Sequence, residues 1–322
     1  VALPALLAIL GKRIDKAVIR KSAITPKEDG RWAQTARFVM RRPLAVVVLS
    51  LVFLSILAAP IKNIVFSQVD SRVLPANNPA AFASKIISDR FPGQEGNPVE
   101  IVIPKGALVQ PEVTKYISEV AKVDGIVRVS PPQIFGDDLR ITAVHSMPPR
   151  TLKGESLIKD IRAIKSPEGT LIGGIAADYA DTQIGIAKTM PWALTWIAVG
   201  VLILLFVFTG SIILPIKAVI LNILSLAATL GAITWIFVDG HLRWLVGDFT
   251  VTGAVDTGSI ILVAVVAFGL SMDYELFLLS RIKEEHDAGK SNIESVAIGL
   301  QRSARIITAA AGLLAIVFAS FM

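Results

Sequence analysis

Three adjacent residues, Asp273, Tyr274 and Glu275, interrupt the apolar segment 258–280, which is long enough to cross a lipid bilayer. An ionisable side chain at membrane depth costs several kcal/mol to insert and usually has a function. Asp273 precedes Arg281 by eight residues, which is about 12 Å along a helix. Apolar surroundings disfavour a carboxylate, and a hydrogen bond, for example from Tyr274, favours it again, so Asp273 could take up and release protons. This pattern predicts a proton carrier in a transporter.

Other interpretations of these residues remain open. Asp273 could be a carboxyl group that neighbouring helices hold for packing alone. Glu275 is nearer the predicted cytoplasmic side, where it could relay protons or reach water. Asn222 is about 15 Å into the segment 212–238, so we expect it level with Asp273, either as a relay partner or as a helix-packing hydrogen bond. Ser271 lies on a different face of its helix and is a weaker candidate.

The composition indicates a membrane protein. Of 322 residues, 53% are hydrophobic, and the mean hydropathy of +0.64 is too high for an ordinary soluble domain. The absence of cysteine excludes disulfides and thiolate metal sites. The three histidines are far apart in sequence, so we expect no metal and no cofactor. The net charge of +6 lies beside apolar segments and indicates membrane topology rather than nucleic-acid binding.

Charge and hydropathy divide the chain into predicted spans and the segments between them. Residues 1–10 look like the end of a span, and the basic residues of 11–42 predict a cytoplasmic linker. Apolar residues at helical spacing in 281–305 predict an amphipathic cytoplasmic helix along the membrane. Because the first residue is Val and both ends look truncated, we expect a piece of a longer membrane protein. The predicted spans are 43–60, 191–209, 212–238, 258–280 and 306–322, the last four forming a bundle within 191–322.

Residues 61–190 differ from the rest because their charges nearly balance and their apolar runs are short. Strand and helix patterns alternate, which predicts a compact α+β domain of the split β-α-β kind. The domain follows a span that leaves the cytoplasm, so we expect it on the outer side of the membrane. Predicted strands are 99–103, 126–129, 139–145 and 170–172, and predicted helices are 80–91, 111–123 and 154–164.

Two enzymatic interpretations are weak, and the second, an intramembrane protease, is possible only if another part of the protein supplies a second aspartate. Residues 288–291, AGKS, resemble the end of a phosphate-binding loop, but Glu284 stands where the first glycine is required and no apolar strand precedes it. Intramembrane aspartyl proteases need two aspartates that share a proton, whereas this chain supplies Asp273 alone at depth. We therefore predict that the protein is not an enzyme and that any transport draws on a gradient or on another chain.

The segment 267–285, AFGLSMDYELFLLSRIKEE, closely resembles the tenth-span motif of the mycobacterial membrane protein large (MmpL-type) transporters of the resistance-nodulation-division superfamily. Three other stretches agree with that family. The turn at 208–218, FTGSIILPIKA, resembles its turn between spans eight and nine. Residues 173–181, GGIAADYAD, resemble the end of its second periplasmic domain, and residues 3–13, LPALLAILGKR, resemble the end of its sixth span.

This resemblance implies an α-helical multi-pass membrane bundle of twelve spans in two repeats, each with a ferredoxin-like porter domain in the periplasm. It implies proton-driven export of envelope lipids or glycolipids across the inner membrane, with Asp273 and Tyr274 in the proton relay. The partners would be the absent N-terminal half, which carries the complementary acid, the lipid, and envelope-biogenesis proteins. The alternatives are a relative without transport, such as a sterol-sensing receptor or a translocation-assisting subunit, and a structural scaffold.

Overall fold

Long apolar helices dominate the computed structural model, which describes residues 2–11, 30–74, 77–91, 93, 95–247 and 249–320. Within those residues, five helices are long and apolar enough to cross a membrane. The prediction of a multi-pass helical membrane protein with an α+β region is confirmed. The five are α3 (Pro43–Ala58, continued by a 3₁₀ turn to Asn63), α7 (Ile175–Thr209), α8 (Ile213–Ile233, continued by a π-helical turn to Val238), α10 (Thr257–Asp287) and α11 (Asn292–Ala319).

The helices α7 and α11 exceed the predicted spans by the most residues. The helix α7 has 35 residues and continues through Pro191, where the sequence predicts that a span begins. The helix α11 runs without a break through position 305, where the sequence predicts the change from cytoplasmic segment to span. The membrane boundaries within both helices stay predictions, because a continuous helix does not mark where the lipid begins.

The short helices α1 (Ala2–Leu10) and α2 (Arg31–Arg41) flank residues 12–29. Much of the predicted basic linker 11–42 therefore lies outside the described residues. The helix α2 packs through Ala33 and Ala36 on Ala297 of α11, and the Ala33 amide donates to Gln301 Oε1 at 3.0 Å. Small side chains allow this close approach of two helices.

The α+β region contains a five-stranded sheet formed by β2 (Val99–Ile103), β3 (Ile126–Val129), β4 (Gln133–Phe135), β5 (Asp138–His145) and β6 (Leu171–Gly173). The strand order is β3-β5-β2-β6, all neighbours are antiparallel, and β4 pairs with β5. The helix α5 (Gln110–Val120) joins β2 to β3, and α6 (Leu152–Ala163) joins β5 to β6. This connectivity is that of the split β-α-β fold.

The sheet and its two helices share one hydrophobic core. Alternation along β2 buries Val99, Ile101 and Ile103 on one face. Helical spacing places Tyr116 of α5 and Ile158 of α6 against them, and all are at most 1% exposed. The first turns of α7 join the same core through Ala176, Ala177 and Ala180, so the helix that leaves the domain begins as part of it.

Residues 50–272 form one compact unit that contains four further elements. They are α4 (Pro79–Arg90), the four-residue helix α9 (Arg243–Val246), and a parallel pair of two-residue strands, β1 (Phe66–Ser67) and β7 (Val255–Asp256). The second unit comprises the described residues of 1–49 together with 273–320.

Candidate functional site

The helix α10 carries the predicted relay residues on one continuous helix. Asp273 is exposed in this chain, and Tyr274 and Glu275 are partly buried. Among the described residues, the side chains of Asp273 and Tyr274 form no hydrogen bond and no ion pair. The relay roles of these three residues stay predictions.

Asn222 of α8 forms a hydrogen bond with α10 close to these residues. Its side chain is 4% exposed, its Nδ2 donates to the Ala218 carbonyl at 3.1 Å, and its Oδ1 accepts from Ser271 Oγ. The structure thus brings Asn222 to Ser271, which the sequence ranked as a weaker candidate. The role of Asn222 as a relay partner of Asp273 remains a prediction.

The pairing of Ser271 with Asn222 indicates how Asp273 is oriented. Two residues along an α-helix correspond to a rotation of about 200° and a rise of about 3 Å. Asp273 therefore lies near the level of Asn222 but on nearly the opposite face of α10 from Ser271. This agrees with its exposure, and it leaves the carboxyl group on a face that the described chain does not cover.

The described residues contain no group of three or more histidines and acids that could hold a metal ion. Around α10, the hydrogen bond between Ser271 and Asn222 contributes to helix packing, while proton transfer through Asp273, Tyr274 and Glu275 stays a prediction.

A second candidate site is a cleft of about 1090 Å³ in the unit of residues 50–272. The helix α4 forms its apolar wall, where Phe82 is 62% exposed and Ile87 is 53% exposed. Polar groups lie elsewhere on the lining, including Asp70 and Arg150. An apolar wall beside charged groups suits an amphipathic molecule, with its chain on α4 and its headgroup near the charges.

The apolar wall of this cleft has a signal in the sequence. Phe82, Ile86, Ile87 and Phe91 share one face of the predicted helix 80–91, which ordinarily indicates a buried core. In the structure all four line the cleft and are at least 37% exposed. A hydrophobic stripe in a short helix does not by itself distinguish a core from a groove.

Comparison with known proteins gives the family. The sequence profile of the MMPL family matches residues 141–322. A membrane protein of Streptomyces coelicolor, SCO6666, is 35% identical over 99% of this chain and 44% of its own length. The trehalose monomycolate exporter MmpL3 of Mycobacterium tuberculosis is 29% identical over 99% of the chain and 38% of its own length. MmpL11 of Mycolicibacterium smegmatis, an exporter of mycolic acid-containing lipids, is 30% identical over 99% of the chain and 35% of its own length.

The chain therefore spans less than half the length of these curated relatives. The profile covers more than half of the chain, and it includes the whole of α10 with the Asp273-Tyr274 pair. Together with the multi-pass helical fold, these matches show that the chain belongs to the MMPL family.

Proposed function

We propose that this chain is part of a proton-driven exporter of cell-envelope lipids or glycolipids, and that Asp273 and Tyr274 act in its proton relay. The observation that supports the relay most strongly is a carboxyl group within a predicted span, on a helix face that the described chain leaves open. Glu275, two residues nearer the predicted cytoplasmic side than Asp273, passes protons between Asp273 and water. The protein acts as a transporter rather than as an enzyme.

The open face of Asp273 supports a partner for the relay. The curated relatives are more than twice as long as this chain, and we propose that the other half of such a protein contributes spans that cover that face. We propose that this other half supplies the complementary acid. Two carboxyl groups at one depth cannot both ionise easily, so a proton taken up by one changes the charge of the other and favours helix movement.

The names of the relatives and the lining of the cleft support the proposed lipid class. MmpL3 is named as an exporter of trehalose monomycolate and MmpL11 as an exporter of mycolic acid-containing lipids. The cleft provides an apolar wall on α4 and charged groups beside it, which suit a lipid with a polar headgroup. We propose that the α+β domain lies on the periplasmic side of the inner membrane and that the lipid passes through this cleft.

Lipid flux in proteoliposomes tests the function. The full-length protein that contains this chain should export a trehalose monoester when a pH gradient is imposed, and export should stop when the gradient is collapsed. Asp273→Asn should abolish that flux while the protein stays in the membrane. If neither the wild type nor Asp273→Asn shows lipid flux that depends on the pH gradient, a sensor or a scaffold on the same fold is favoured instead.

The cleft has its own test with a matched control. Phe82→Asp places a charge on the apolar wall and should reduce export. Phe135→Asp changes a phenylalanine of equal exposure, 62%, on β4 outside the cleft and should export normally. Equal export by both variants would show that the exported lipid does not pass through the cleft.

A further inference from the structure

A chain of hydrogen bonds, buried at Thr257 and Ser67 and partly exposed at Arg150, connects the start of α10 with the wall of the cleft. Thr257 is the first residue of α10 and follows β7 without an intervening loop. Its hydroxyl donates to the Ser67 carbonyl at 3.1 Å and accepts from Gln183 Nε2 at 3.0 Å. Thr257 and Ser67 are each 6% exposed, so neither hydroxyl can exchange its protein partners freely for water.

The chain of contacts continues from Ser67 to the cleft. Ser67 Oγ donates to the Arg150 carbonyl at 2.6 Å, and Arg150 Nη1 donates to the Val69 carbonyl at 2.8 Å. Arg150 lines the cleft, as do Asp70 and Ser71, which directly follow Val69. A displacement of Ser67 therefore acts on two segments of the cleft wall.

The same junction is held by backbone pairing. The strands β1 and β7 are parallel, with Phe66 opposite Val255 and Ser67 opposite Asp256. The Val255 amide donates to the Val65 carbonyl at 2.8 Å, and the hydroxyl of fully buried Tyr179 on α7 donates to the Phe66 carbonyl at 2.9 Å. The start of α10 thus cannot shift or rotate without breaking buried hydrogen bonds or moving β1 with it.

We propose that Thr257 and Ser67 are positioning residues that couple movement of α10 to the shape of the cleft, an inference that rests on the proposed function. Thr257 precedes Asp273 by 16 residues on the same helix, which is about 24 Å along its axis. A continuous helix transmits displacement over that distance, because its hydrogen bonds resist stretching. Protonation of Asp273 changes the position of α10, and the Thr257–Ser67–Arg150 connection carries the change to the lipid site.

The variant Thr257→Val tests this proposal because valine keeps the shape of threonine and removes the hydroxyl. Its control is Thr252→Val, which removes a hydroxyl that bonds to the nearby Ala254 carbonyl at 2.9 Å. In the reconstituted full-length protein, Thr257→Val should raise the number of protons entering per exported lipid by about twofold to thirtyfold. Thr252→Val should keep the wild-type ratio.

A merely structural role for Thr257 would lower proton and lipid fluxes together and leave their ratio unchanged, and that result would overturn the proposal. Failure of the proposed function has a different signature, since wild-type export would then be independent of the gradient or would survive Asp273→Asn.

Hydrogen–deuterium exchange tests the same coupling without a measurement of proton flux. A short-chain trehalose monoester serves as the probe. Its binding should slow exchange in residues 253–262 by about twofold or more in the wild-type protein and in Thr252→Val. In Thr257→Val, protection should persist in α4 and disappear in residues 253–262. Protection of both regions in Thr257→Val, or no protection of residues 253–262 in the wild type, would overturn the coupling.

Discussion

Ser271 of α10 donates a hydrogen bond to the buried side chain of Asn222 on α8. This bond joins two predicted membrane spans at about the depth of Asp273. It also leaves Asp273 on the other side of α10, because two residues correspond to a rotation of about 200°. One side of the helix thus serves packing within this chain, and the other side is open to a partner.

Loss of the Ser271 hydroxyl should weaken this packing. Ser271→Ala leaves Asn222 Oδ1 buried without that donor, and we expect destabilisation of about 0.5–1.7 kcal/mol. Thr229→Val is the control, because the Thr229 hydroxyl donates to Ser225 within α8 at 3.0 Å. Thermal unfolding of the purified protein in detergent measures the difference. Equal unfolding temperatures for the two variants would show that the bond contributes nothing to packing.

Gly231 marks another close contact between predicted spans. A Cβ atom at Gly231 would lie 2.1 Å from the carbonyl oxygen of Leu57, whereas a Cβ atom at Gly200 would meet nothing within 4 Å. Gly231→Ala should therefore destabilise the protein by about 1–3 kcal/mol through overpacking. Gly200→Ala should be neutral or slightly stabilising, since alanine favours a helix. Comparable unfolding temperatures in detergent for the two variants would contradict this close approach.

Glu285 joins α10 to α11 through two cations. Its side chain is 5% exposed, and its carboxylate pairs with Arg302 and, at 2.7 Å, with Lys290. Removing the charge by Glu285→Gln should cost about 1–3 kcal/mol, because Lys290 and Arg302 each lose a contact with a buried carboxylate.

The neighbouring Glu284→Gln is the control for Glu285. Glu284 is 57% exposed and pairs with Arg281 in the same helix, so its loss should cost less than about 1 kcal/mol. Unfolding temperatures compared at low and high salt measure both effects. If Glu285→Gln is as mild as Glu284→Gln, the cluster does not stabilise the corner between α10 and α11.

The α+β domain should lose stability in mild acid because of His145. This side chain is fully buried at the end of β5, and its Nε2 lies 3.0 Å from the Asn97 carbonyl, which is the geometry of a donated hydrogen bond. Burial lowers the pKa of His145 below its ordinary value of about 6.5. The stability that comes from a neutral ring is therefore complete above about pH 6.5 and is lost as the pH falls towards the folded pKa.

His145→Gln measures this contribution. Glutamine can still donate to Asn97 but does not titrate, so the fall in unfolding temperature between about pH 7.5 and 5.5 should be shallower than in the wild type. His286→Gln, at an exposed position near the end of α10, should leave the wild-type slope unchanged. A wild-type slope in His145→Gln would assign the acid sensitivity to other groups.

The sequence predicts much of the α+β domain because local patterns decide it. The predicted strands 99–103 and 126–129 coincide with β2 and β3, and helix 80–91 falls within one residue of α4. The pair β1–β7 escaped prediction because two-residue strands have no periodicity. The cleft was not predicted, because the exposure of Phe82 depends on whether other elements of the tertiary structure cover it.

Around Asp273, the position of a residue along its helix was easier to predict than the direction in which its side chain points. Counting residues along two helices predicts that Asn222 and Asp273 are level, and Asn222 bonds to Ser271, which is two residues or about 3 Å along α10 from Asp273. Sequence does not give the rotation of one helix against another. Packing of small and polar side chains sets that rotation, and here it directs Ser271 rather than Asp273 towards α8.

The most direct test of the proposed relay is proton uptake during lipid export by the reconstituted full-length protein, compared between Asp273→Asn and Asp287→Asn. Asp287 is exposed at the cytoplasmic end that is predicted for the same helix, so its variant controls for loss of a carboxylate. We predict that Asp273→Asn abolishes both proton uptake and export, while Asp287→Asn keeps both. Gradient-driven export by a correctly inserted Asp273→Asn protein at the wild-type rate would contradict the proposal.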